Sequence, residues 1–77
     1  MSNEGKKFVD IYLWTVPNND KLIKIEHLTY DEAIELSSKW LNCKKSCDYM
    51  IVQEGFIPSF FGNPSVEVKT KEWIESI

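Results

Sequence analysis

The residues of this chain that could make or break bonds are few: one histidine (His27), two cysteines (Cys43 and Cys47), and a carboxylate cluster at Asp31, Glu32 and Glu35. Nucleophilic catalysis needs a Ser, Cys or Lys activated by a base that a third group orients. His27 is the only imidazole, at the end of an expected strand just before a helix start, where a structural or surface role suits it better. A Cys43 or Cys47 nucleophile with His27 as base is the weaker reading. The Cys-x3-Cys spacing raises metal and redox chemistry, yet structural zinc takes four ligands, and two thiols with one histidine leave the set short. A regulatory disulfide across this short connection is the alternative to two free thiols, and free thiols are expected in a reducing cytosol. The carboxylates are accounted for by helix capping and a solvated helix face, and Gly5, Gly55 and Gly62 stand too far apart to form a phosphate-cradling loop. The expectation is a chain with no catalytic residues, no metal and no cofactor, and so not an enzyme.

Against that sparse toolkit stands an aromatic load: four Phe, three Trp and three Tyr among 77 residues. Each large ring removes about 150–250 Å² from water when fully buried. Trp14, Trp40 and Trp73 fall in three separate expected elements, which suggests one core tying the chain together. The net charge of −3 comes from nine lysines and twelve carboxylates, with no arginine. Nucleic-acid binders cluster Lys and Arg to displace counterions from phosphates, whereas here the basic groups amount to Lys6-Lys7, Lys44-Lys45 and Lys69 with Lys71. Nucleic acid is therefore not an expected partner. No apolar run approaches the ~18 residues that span a bilayer, and the start lacks a long apolar signal, so a cytoplasmic protein without membrane contact is expected.

The elements that must position these residues read as follows. Residues 1–7 are small and polar and suggest a disordered N-terminus, leaving 8–77 as a single α+β domain. Phe8 to Val16 is β-branched and aromatic, apolar on both faces, and suits a central strand. Pro17-Asn18-Asn19-Asp20 is a concentrated turn signal that implies a hairpin, with Leu22 to His27 returning nearer an edge. Thr29 and Glu32 have the spacing of a capping box. The helix they start gathers Tyr30, Ala33, Ile34, Ser37, Trp40 and Leu41 on one stripe, with Leu36 on its flank. A third strand runs from Asp48 to Glu54 and a fourth from Val66 to Lys69. Thr70 is placed to cap a short final helix carrying Trp73, Ile74 and Ile77. The order β-β-α-β-β-α predicts a small three- to four-stranded, mostly antiparallel sheet with one amphipathic helix on one face.

One segment contradicts itself. Phe56-Ile57-Pro58-Ser59-Phe60-Phe61-Gly62-Asn63-Pro64 is a loop by its prolines and glycine and a core by its side chains. Either the four large side chains form a lid over a small core or they anchor a partner, and a mixed outcome is expected, with Phe60 or Phe61 outward and Phe56 inward. The leading reading is a protein-binding module using Phe56, Ile57, Phe60 and Phe61, extended by Tyr12 and Trp14 of the first strand. Such a module would act as an inhibitor or regulator of a larger host protein, in the manner of small accessory proteins of phages and mobile elements that oppose host defence. A small-molecule or nucleotide binder working by aromatic stacking is the second reading, and self-association, as a homodimer for example, is the third.

Overall fold

The computed structural model describes residues 7–15, 21–43, 46–60 and 64–76. The expected N-terminal disorder, the Pro17–Asp20 turn and the side chains of Phe61 and Ile77 lie outside those residues. The elements are β1 (Val9–Thr15), β2 (Lys21–Leu28), α1 (Tyr30–Cys43), β3 (Cys47–Gln53), β4 (Ser65–Lys69) and α2 (Lys71–Glu75). This is the α+β order read from the sequence.

The four strands form one sheet in the order β3-β1-β2-β4. β1 pairs antiparallel with both β2 and β3, while β4 joins β2 in parallel, so the sheet is mixed. β1 lies between β3 and β2, the central position expected from its two apolar faces. β2 is interior rather than near an edge, because β4 adds outside it; Leu22 and Ile25, on opposite faces, are both 1% exposed.

These directions decide what the connections must do. β2 and β3 run the same way with β1 between them, so α1 crosses over β1. β3 and β4 also run the same way, at opposite edges, so the segment between them must cross the whole sheet. Parallel strands are usually bridged by a helix; here the second bridge is the apolar loop. α1 covers one face and the loop crosses the other.

Strand alternation sends Ile11, Leu13, Ile23 and Ile25 toward α1, where they pack with Leu28, Ala33, Leu36, Trp40 and Ile74. On the opposite face Tyr12, Leu22 and Val52 form a smaller cluster with Trp14, Met50 and Phe60. The three tryptophans are therefore divided between two cores. Trp40 and Trp73 are 6.0 Å apart between ring centroids on the helix side, and Trp14 lies on the loop side.

The capping box is formed in both directions. The Glu32 amide donates to Thr29 Oγ1 at 3.2 Å, and the Thr29 amide donates to Glu32 Oε1 at 3.0 Å. The buried stripe of α1 is rotated from the expected one. Leu36 lies inside it, whereas Tyr30, Ile34 and Leu41 are 58%, 40% and 41% exposed. The rotation follows from α2, which makes a second wall beside the sheet: Ile74 and Trp73 join the helix-side core, and Lys71–Glu32 (3.0 Å) and Lys39–Glu75 (4.0 Å) close its outer rim. α1 faces the corner between sheet and α2 and leaves its other flank in solvent. Thr70 occupies the N-cap of α2 without a side-chain cap bond; its carbonyl accepts the Trp73 amide at 3.0 Å.

Candidate interaction surface

The loop is launched by a polar knot at one end of the sheet. β2 carries a bulge opposite β1, where the register shifts between Val9 and Ile11, and His27 there has φ +62°. A left-handed conformation is uncommon for a residue with a Cβ, though histidine tolerates it better than most. It is held by Asp10, which is 1% exposed: Oδ1 accepts the His27 amide at 3.2 Å and Oδ2 accepts the Gly55 amide at 3.2 Å. Lys24 Nζ stands 3.8 Å from the same carboxylate. Gly55 turns the chain out of β3 with φ +88°, and the Phe56 amide closes the turn on the Gln53 carbonyl at 3.0 Å. Above the bulge the His27 ring stacks on Phe8 at 3.9 Å, and its Nδ1 lies 2.7 Å from Glu54 Oε2.

From this fixed point the loop carries Phe56 and Ile57 into solvent, 57% and 78% exposed, before it meets the face of the sheet at Phe60. Phe60 lies over β1, with ring centroids 5.5 Å from Tyr12 and 5.7 Å from Trp14. Phe56, expected inward, thus faces outward, while Phe60, one of the two rings expected to supply an outward group, lies against the sheet, because it is the side chain that arrives above β1. Tyr12, read as part of a contact surface, is only 3% exposed and lies beneath Phe60; Trp14 is half-buried at the margin. Phe61 is outside the described residues.

The sequence reading passed over Val66 and Val68, 48% and 58% exposed. They alternate with Glu67 and Lys69 and make an apolar face on β4, the outermost strand, which only β2 adjoins among the described strands. Val66 lines a shallow hollow of about 270 Å³ with Ile57, Pro58, Ser59, Phe60 and Pro64. The result is an apolar strip running from Phe56 and Ile57 to β4.

The groups with chemical potential are kept apart. Cys47 is paired opposite Thr15 and His27 lies near Asp10, so five residues of β1 separate the Cys47 thiol from the imidazole by roughly 17 Å at ~3.3 Å per residue. Cys43 and Cys47 are unbridged, with Cys47 Sγ 3.6 Å from the Trp40 carbonyl. A larger hollow of about 390 Å³, beside His27 and the start of α2, is lined by Glu26, Glu32, Glu72, Lys69 and Lys71. Lys71 pairs with Glu32 inside it, while Lys69 and Glu26 pair with Glu67 and Lys24 outside its lining. The Thr29 amide and then Lys71 hold the Glu32 carboxyl below its ordinary 4.5, and Glu32 in turn raises Lys71. Burial draws Lys24 down, but hydrogen bonds to Glu26 and Tyr12 outweigh it, and its pKa is raised. Among the described residues no group of three His, Cys, Asp or Glu is arranged to hold a metal, and no helix is long and apolar enough to cross a membrane.

Comparisons with protein-family models, with curated proteins and with solved structures gave no match.

Proposed function

We propose that this chain is a non-enzymatic protein-binding module that inhibits or regulates a larger protein by occupying part of its surface, with Phe56 and Ile57 as anchors and the hollow beside Val66 as a receiving groove. The observation that carries this reading is a loop with both a root and a tip. Phe60 is fixed against Tyr12 and Trp14, while Phe56 and Ile57, a few residues earlier, stand in solvent. A loop pinned at Gly55 and at Phe60 loses little freedom on binding, and preorganisation of this kind raises affinity without new contacts. Exposed aromatic and aliphatic anchors beside a groove are the usual substance of binding hot spots.

Base stacking is less well supported. Of the rings available to it, Phe60 is engaged by Tyr12 and Trp14, and Tyr12 is buried.

The test is quantitative capture from native lysate by the full chain and by a Phe56→Ser, Ile57→Ser double variant. Both residues are exposed, so the variant should keep its melting temperature within the small change typical of surface positions. The expected outcome is a partner held by the parent chain and lost, by at least about tenfold, by the variant. Equal recovery by both chains removes the reading.

A further inference from the structure

The two edges of the sheet are finished differently. β4 has five residues, and its Glu67 is bridged to Lys69 at 2.8 Å and to Lys21 at 3.4 Å. Short length and charge are the ordinary protections of an edge strand. β3 has seven residues, and the run Tyr49-Met50-Ile51-Val52-Gln53 contains no charge, proline or glycine. The Glu54 amide donates inward to the Phe8 carbonyl at 3.3 Å. In an antiparallel pair the inward-facing residues alternate, so the backbone groups of Tyr49 and Ile51 point away from β1, and no described strand lies beyond them. The Tyr49 amide is occupied locally, by the exposed carboxylate of its neighbour Asp48 at 2.8 Å.

The uncovered flank of α1 lies on this same side. Its opposite flank is held by α2 through Glu32–Lys71 and Lys39–Glu75, and the Trp40 indole donates to the Asp48 carbonyl at 3.1 Å, fixing the end of α1 over the start of β3. Tyr30, Ile34 and Leu41, turned away from α2, form an exposed apolar strip above the open edge.

We propose that β3 and this flank of α1 form a twofold interface with a second copy of the chain. With the dyad at Met50 the strand is its own complement. Tyr49 lies opposite Ile51 of the second copy in a hydrogen-bonded pair, Asp48 opposite Val52, and Cys47 opposite Gln53. Tyr49 beside Ile51 is an aromatic with β-branched pair, a favourable cross-strand combination, and no carboxylate meets another. Moving the dyad to Ile51 sets Asp48 against Glu54, and moving it to Tyr49 shortens the ladder, so charge and length select one register. The Tyr49 amide exchanges an exposed local bond for a ladder bond, at little net cost. α1 runs opposite to β3, so the dyad sets the two helices antiparallel, with Ile34 facing Leu41 of the second copy. This interface is separate from the Phe56/Ile57 loop. It would carry two such loops on one face of a continuous sheet, where two-point attachment raises avidity without any new contact.

Equilibrium sedimentation of the full chain between roughly 1 and 100 μM, a range in which standard association energies are resolved, should show a concentration-dependent dimer. An Ile34→Glu, Leu41→Glu variant, changed only at exposed positions and checked for retained melting temperature, should associate at least about tenfold more weakly. If that variant does not fold, the deciding readout is Met50→Cys in a Cys43→Ser, Cys47→Ser background, oxidised with copper phenanthroline and oxygen. Residues opposite each other at a non-hydrogen-bonded pair have Cβ atoms about 4.5–5.5 Å apart, close to disulfide reach, and a covalent dimer is expected. A parent chain that stays monomeric throughout the range, a folded glutamate variant with unchanged affinity, or, in the fallback, no covalent dimer, overturns the proposal.

Discussion

On the helix side of the sheet, α1 and α2 bury Ile11, Leu13, Ile23, Ile25, Leu28, Ala33, Leu36, Trp40 and Ile74 in one continuous cluster. On the loop side the buried apolar cluster among the described residues is Tyr12, Leu22 and Val52, with Phe60 packed against it. A helix satisfies its own backbone hydrogen bonds and can lie along a sheet for its whole length. A proline-containing crossover cannot, and it touches the face at a few points. The comparison teaches where this small protein places its apolar groups: one face is committed to stability, and the other is sealed with few side chains, leaving Phe56, Ile57, Val66 and Val68 turned outward.

The sharpest way to break this comparison is to remove one ring from each side. Trp40→Ala should cost about 3–5 kcal/mol, as for other large aromatic deletions in cores, a large share of the roughly 4–12 kcal/mol expected for a domain of this size. Phe60→Ala, at a partly exposed site, should cost only about 1–2 kcal/mol. Urea denaturation of both variants checks the order, and equal losses would mean that the loop side is as much a core as the helix side.

Asp10 joins the bulge of β2 to the turn that launches the loop, so Asp10→Ala strands the His27 and Gly55 amides without their acceptor. A loss of about 2–3 kcal/mol is expected, with Asp10→Asn partly restoring stability. Amide hydrogen exchange should show the loop and the bulge opening together.

The smallest effect concerns the rim between α1 and α2. Glu32 is held below 4.5 by the Thr29 amide and Lys71. The unfolded chain therefore takes up this proton at a higher pH than the native chain does. The stabilisation is complete above pH 4.5 and is lost as the pH falls through the lower native value. Glu67, lowered by Lys69 and Lys21, acts in the same direction. Stability measured across acid pH should fall less steeply in Glu32→Gln than in the parent chain.

Much of the architecture was legible before the structure. Thr29 and Glu32 announced the start of α1 because a capping box is a local contract between residues three apart. The alternation in β1 and β2 announced strands, and the length and composition of Phe8 to Val16 announced a central one. What misled was anything that depended on a distant neighbour. Leu22 to His27 reads as lying nearer an edge because Lys24 and Glu26 make one face polar, and nothing in those residues records the later arrival of β4. Tyr30, Ile34 and Leu41 looked buried because the helical wheel cannot show that α2 rotates the helix toward Leu36. Asp10 drew no notice within an apolar strand, because its role depends on backbone amides at His27 and Gly55, far away in the chain.

The loop shows the same division. Its residue types alone determined that the segment between β3 and β4 would be irregular in backbone and apolar in side chain, since prolines at 58 and 64 exclude a regular helix and four large side chains resist full solvation. Which of those side chains faces solvent was decided by sheet order. With β3 and β4 at opposite edges, the chain must pass over β1 and β2, and burial goes to the residue that arrives above Tyr12. Periodicity and capping are short-range and are written in neighbouring residues, whereas exposure depends on what lies across the sheet, and only the assembled strands settle that.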